Sequence, residues 1–140
     1  MVSKNKNQKE LIYTWDEYKE DVKKIVIHIK ENKWDIKAIY GIPRGGLVLV
    51  TTLSNILDVP LFFNLDEAIR YLTNSGENLP REKILIVDDI ADSGQTLLEI
   101  DEILEFKSIT LFKKDVCRFS PNFWCREAKY KDWVVFCWER

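Results

Sequence analysis

Apolar residues recur along this chain at two spacings, one helical and one continuous, and they alternate from end to end. Tyr18, Val22, Ile25, Val26 and Ile29 fall on one helical face behind Thr14, which stands at capping-box distance from Glu17, so the spacing predicts a packing helix over Trp15–Glu31. Ala38-Ile39-Tyr40 predicts a short strand that breaks at Gly41. After Pro43, Arg44, Gly45 and Gly46, the segment Leu47 to Leu57 is apolar on most of its surface, a helix lying against a sheet and ended by Asp58-Val59-Pro60. Leu61-Phe62-Phe63 predicts the next strand, and residues 64–82 turn polar and irregular, with Asn74, Ser75, Gly76 and Pro80 marking turns. Ile84-Leu85-Ile86-Val87 has no polar alternation, which predicts a parallel strand covered on both faces. Leu97, Leu98, Ile100, Ile103 and Leu104 predict a helix over Thr96–Phe106, followed by a strand Ile109–Phe112 ending in Lys113-Lys114. The aromatic run Tyr130 to Glu139 favours a final extended segment.

Strands alternating with helices predict an α/β fold, a mostly parallel sheet with helices on both faces. A chain of 140 residues suits a single domain spanning 1–140, able to bury roughly two thirds of its unfolded surface. Residues 1–10 are polar and lysine-rich and are expected to form a flexible tail. Asp115 to Lys131 has poor periodicity apart from a turn at Ser120-Pro121-Asn122, so Phe119, Phe123 and Trp124 are expected only as core or subunit contacts. His28 lies off the apolar stripe of its helix and reads as a solvated residue.

Charge narrows the partners. The formal net charge is −2, and no large single-sign block occurs apart from the short Lys4, Lys6, Lys9 tail, so no nucleic-acid partner is expected. No apolar run approaches the roughly 18 residues that span a bilayer, and the first residues lack the apolar centre of a signal peptide. A cytoplasmic protein without a membrane partner is the expectation. Cys117, Cys125 and Cys137 are odd in number and show no C-x-x-C spacing, so they read as free thiols.

Chemistry concentrates in Val87 to Thr96. Asp88 and Asp89 end an apolar strand, and the carboxyl ends of parallel strands are where open α/β sheets bind ligands. Paired carboxylates there can hold sugar hydroxyls or a magnesium ion. Ala91, Ser93 and Gly94 let backbone amides approach a ligand, and Ser93 and Thr96 add hydroxyls where the next helix presents its free N–H groups. Carboxylates followed by an anion nest match a ribose 5-phosphate. Arg44-Gly45-Gly46 exposes a guanidinium beside open amides, a combination suited to pyrophosphate, although alone it also fits an ordinary strand-to-helix turn.

The stretch VDDIADSGQT resembles the phosphoribosyl pyrophosphate (PRPP) motif of type I phosphoribosyltransferases. The resemblance implies that fold, with a small hood built from terminal segments, here residues 115–140. It implies Asp88 and Asp89 as holders of the ribose hydroxyls and Mg²⁺, Asp92 as the catalytic carboxylate beside the base, and Ala91, Ser93, Gly94, Gln95 and Thr96 as the 5-phosphate loop. Arg44, Gly45 and Gly46 then take the pyrophosphate. Thr14-Trp15-Asp16, Arg44 to Leu47, Asp132-Trp133-Val134 and Cys137-Trp138-Glu139 are similar to bacterial xanthine-guanine phosphoribosyltransferases, with Cys137 standing where that group has proline. That likeness implies a 6-oxopurine base bound by Lys114, Trp133 and the backbone near Val134, the products being the nucleoside 5′-monophosphate and pyrophosphate. It also implies a homo-oligomer, dimer or tetramer. The lid such enzymes close over the reacting centre would fall in residues 64–82, where this chain offers only Arg70 and Arg81. Two alternatives stay open: a PRPP- or nucleotide-binding regulatory module without turnover, and a subunit whose site another chain completes.

Overall fold

The computed structural model describes residues 8–75 and 83–139. In chain order the elements are β1 (Glu10–Tyr13), α1 (Trp15–Glu31), β2 (Ala38–Gly41), α2 (Leu47–Leu57), β3 (Leu61–Phe62), α3 (Leu65–Asn74), β4 (Ile84–Ala91), α4 (Gln95–Asp101), β5 (Lys107–Lys114), β6 (Phe123–Ala128) and β7 (Trp133–Phe136), with a closing 3₁₀ turn at Cys137–Glu139. The strands make two sheets. Five of them, in the order β3-β2-β4-β5-β6, are parallel throughout, and β1 pairs with β7 as a separate parallel ribbon.

β4 lies at the centre and explains the layering. Ile84 and Ile86 face Ala68, Leu72, Leu97 and Ile100 of α3 and α4, while Leu85 and Val87 face Ile25, Ile29, Leu49 and Leu53 of α1 and α2. An apolar run without alternation is what a strand covered on both faces requires. The capping box forms as the spacing predicts: the Thr14 hydroxyl accepts the Glu17 N–H at 3.1 Å, and the Thr14 N–H donates to Glu17 Oε1 at 3.1 Å. α2 ends at Asp58, whose φ of 54° reverses the chain.

Several elements differ from the sequence expectation. Residues 65–74 form a helix rather than an irregular stretch; the Asn64 side chain caps it by accepting the Glu67 N–H at 3.2 Å, and Ala68 and Leu72 are buried. Gly76, Pro80 and Arg81 lie outside the described residues. α4 stops at Asp101 instead of Phe106, although Leu104 still enters the core. Glu10 belongs to a strand, not a tail, because β7 supplies the partner from the other end of the chain; Lys4 and Lys6 lie outside the described residues. β6 occupies the stretch of poor periodicity, and there Phe123 stacks on the His28 ring at 4.2 Å, so His28 packs against the sheet edge rather than standing in solvent. Phe63 follows β3 and is exposed. Cys117, Cys125 and Cys137 are free thiols as expected.

Candidate active site

β4 and β5 run farther than the apolar pattern suggests, which places both acidic residues inside β4 and both lysines inside β5. The two carboxyls lie within hydrogen-bond reach of each other, yet each meets a different neighbour. Asp88 lines a pocket of about 190 Å³ together with Ala91, Asp92, Ser93, Gly94, Gln95 and Thr96, with Ile42, Ile90, Leu97 and Thr110 completing the wall. Asp89 instead meets the Arg44 loop. A Cβ on Gly45 would come within 2.5 Å of the Asp89 carboxyl carbon, so only glycine lets the loop backbone lie on that carboxylate. The loop is tied to the sheet by the Ile42 N–H donating to Val87 O at 3.0 Å and the Gly46 N–H donating to Ile42 O at 2.8 Å. Its Pro43–Arg44 peptide is cis, and the Arg44 side chain is exposed.

The electrostatics of the pair follow from this placement. Burial, reinforced by the adjacent Asp89 charge, pushes the Asp88 carboxyl up to about 8. Burial raises Asp89 as well, and the Asp89 N–H donates to Asp88 Oδ1 at 2.8 Å. Two further groups feel the pair: the Tyr40 hydroxyl, raised by burial and by Asp88, and the Glu139 carboxyl, raised by burial and by Asp89. Such a group of acids ionises reluctantly alone and is stabilised by a cation or by hydroxyl donors. The donor set fits magnesium in a particular way. Mg²⁺ is commonly held by one or two carboxylates together with substrate phosphates, not by an all-protein cage, and no cluster of three or more metal-binding side chains occurs among the described residues.

The loop after β4 is shaped by Gly94. Its φ of 84° is left-handed, and a Cβ there would meet the Phe119 backbone N and O at 2.7 Å. The Arg118 N–H donates to Ser93 O at 2.9 Å, and the Cys117 thiol donates to Phe119 O at 3.2 Å. Residues 117–119 therefore buttress the loop, a role with no signal in their sequence. The Ser93 hydroxyl accepts the Gln95 N–H at 3.2 Å. Asp92, Ser93 and Thr96 are exposed at the pocket.

At the end of β5 the two lysines are not a matched pair of free cations. Lys113 Nζ sits 4.7 Å over the Trp124 ring. Lys114 is 7% exposed and donates to Tyr130 O at 3.0 Å and Asp132 O at 2.5 Å. It thus holds the turn that leads into Trp133, which is half-buried, and Val134, which is buried, at the start of β7. The structure joins Lys114 to Trp133 through this turn; Lys114, Trp133 and Val134 do not line the Asp88 pocket, which β5 reaches through Thr110.

Comparisons with known proteins agree with this geometry. A xanthine-guanine phosphoribosyltransferase of Gluconobacter oxydans (strain 621H) is 25% identical over 143 residues, spanning 90% of this chain and 82% of its own length. The structure of a purine phosphoribosyltransferase from Pyrococcus horikoshii superposes with a TM-score of 0.70 at 26% identity, covering 94% of this chain and 95% of that one. The xanthine-guanine-hypoxanthine phosphoribosyltransferase of Helicobacter pylori shares the fold with a TM-score of 0.77 at 22% identity, over 95% and 94% of the two chains. Residues 10–139 match the phosphoribosyl transferase domain family. An acidic strand end, an anion loop behind it and a glycine loop lying on the carboxylates therefore belong to a type I phosphoribosyltransferase, and the chain is a member of that family of PRPP-dependent transferases.

Proposed function

We propose that this chain transfers the 5-phosphoribosyl group of PRPP to a 6-oxopurine, giving the nucleoside 5′-monophosphate and pyrophosphate. The observation that carries the reading is the contact of Gly45 with Asp89, beside the pocket that Asp88 shares with residues 91–96. Sites for pyrophosphate, ribose and 5-phosphate thereby adjoin in the order in which PRPP carries those groups.

The residues divide the work by chemistry. Asp88 and Asp89 accept hydrogen bonds from the ribose hydroxyls. The amides of Ala91 and of Ser93 through Thr96, with the Ser93 and Thr96 hydroxyls, take the 5-phosphate. Arg44 and the Gly45 and Gly46 amides stabilise the departing pyrophosphate, which gains charge as the sugar passes through an oxocarbenium-like state. Mg²⁺, held by Asp88 and Asp89 with substrate oxygens, supplies further positive charge toward that leaving group when bound. Asp92, exposed in the pocket, exchanges a proton with the purine ring as the new bond forms, a role typically contributing ~10²–10⁴-fold in rate.

Base choice rests on Lys114. An ammonium has three donors and no acceptor, and two of these N–H groups are taken by Tyr130 O and Asp132 O. The third suits a carbonyl at the purine 6-position and meets the amino group of adenine donor to donor. Trp133 stacks on the base, and the backbone near Val134 reads the 2-position. The names of the Gluconobacter and Pyrococcus relatives support a purine substrate. Pyrophosphate release with PRPP, Mg²⁺ and each base in turn tests the assignment: guanine, xanthine or hypoxanthine leads, and Lys114→Ala erodes the lead. Better use of adenine or orotate than of every 6-oxopurine overturns it.

A further inference from the structure

The β1–β7 ribbon is a separate sheet from the five-stranded one, so something other than strand pairing must set its pitch over the strand ends. Apolar contacts hold it down. Phe112 of β5 meets the Tyr13 ring edge-on at 5.2 Å and the Phe136 ring at 5.8 Å. Such contacts are weakly directional and permit sliding. Direction comes from polar contacts: Lys114, which holds the turn into β7, and a second, partly buried polar chain that the transfer chemistry does not use. The Tyr13 hydroxyl donates to Asp21 Oδ2 at 2.7 Å, and Arg126 reaches the same carboxylate through Nε at 2.8 Å and its second terminal nitrogen at 3.3 Å. Arg126 Nη1 donates to Glu17 Oε2 at 2.9 Å. Lys24 approaches Asp21 Oδ1 at 3.4 Å from the solvent side.

Asp21 is fully buried. Its partner Arg126 is half-buried; an ion pair with a buried member is a poor source of net stability compared with apolar packing, but it discriminates between geometries, because few arrangements satisfy the buried carboxylate. This one joins three elements: α1 through Asp21 and Glu17, β6 through Arg126, and β1 through Tyr13. β1 is in register with β7, Glu10 beside Trp133 and Tyr13 beside Phe136, so the angle fixed at Tyr13 passes directly to Trp133 and Val134.

Given the purine transferase reading above, we infer that Tyr13, Asp21 and Arg126 are positioning residues for base recognition, setting the ribbon at the pitch that brings Trp133 and Val134 to the ring. Calorimetry with two ligands separates this role from general structural support. Guanosine monophosphate occupies the base, ribose and phosphate sites, whereas ribose 5-phosphate omits the base. Tyr13→Phe removes one hydroxyl and keeps the ring, so the dissociation constant for the nucleotide rises about three- to tenfold and that for ribose 5-phosphate stays within about twofold. Arg126→Lys keeps the cation but loses the fork between Asp21 and Glu17, and gives the same split should Tyr13→Phe fail to fold. Equal weakening of both ligands, or no change in either, overturns the inference. A wild-type protein that binds neither ligand removes the transferase reading itself, and the positioning role with it; one that binds ribose 5-phosphate but not the nucleotide removes only the base site.

Discussion

Asp88 and Asp89 are largely buried side by side, at a cost in stability once they ionise, and the sign of that cost can be measured. The carboxyl of Asp88, pushed up to about 8 by burial and then by Asp89, is more readily protonated folded than unfolded. Stability associated with the neutral form is therefore fully present below the ordinary carboxylate range and is lost as pH rises toward 8. Asp89→Asn removes the neighbouring charge, so Asp88 ionises with less resistance. The thermal midpoint of the ligand-free variant should gain on wild type between pH 5 and pH 8.5; a difference independent of pH would show that the two carboxylates do not oppose each other in the folded protein. The acidic pair itself was legible in the sequence, since adjacent aspartates closing an apolar run are a local signal. What was not legible was the different neighbour each meets, the pocket for Asp88 and the Gly45 backbone for Asp89. Glu139 was visible only through the resemblance of Cys137-Trp138-Glu139, because its approach to Asp89 needs the whole fold.

Elements whose limits are set locally were read to the residue. α1 and α2 begin and end where the sequence expects, because Thr14 with Glu17 and Asp58 with Pro60 act within one turn of chain. Elements whose reasons lie far away were missed. β6 carries Arg126 inside a strand, tolerable only because Asp21, on the other side of the domain in sequence, accepts its fork. β1 is a strand of four residues that β7 makes possible. α3 is a different case: Leu65, Ala68, Ile69 and Leu72 do have helical spacing, but the turn residues that follow drew the whole segment toward a loop. The loop after β4 depends on a distant element too, resting on residues 117–119. Gly94→Ala would force a side chain into left-handed backbone, at roughly 1–2 kcal/mol, and against the Phe119 backbone. Chemical denaturation should show at least that loss, with weaker ribose 5-phosphate binding beside it; an unchanged midpoint with full affinity would mean the loop does not need its present shape.

Taken together, the molecule is a parallel sheet that gathers its chemistry at one end and a ribbon laid over that end. Alternating strands and helices announced the sheet, and the motif that closes β4 announced the family. The ribbon's separateness was hidden because parallel pairing of the first and last strands leaves no short-range pattern. No helix among the described residues is long and apolar enough to cross a membrane. The proposed function rests on three neighbouring devices that one ligand could span: the Arg44 loop, the acidic pair and the Gly94 loop. The most direct measurement is product stoichiometry with PRPP, Mg²⁺ and guanine, following guanosine monophosphate by chromatography and pyrophosphate by a coupled assay. Equal amounts of the two, formed together as PRPP disappears, are the predicted result. PRPP left intact beside guanine, or pyrophosphate released without nucleotide, would contradict it.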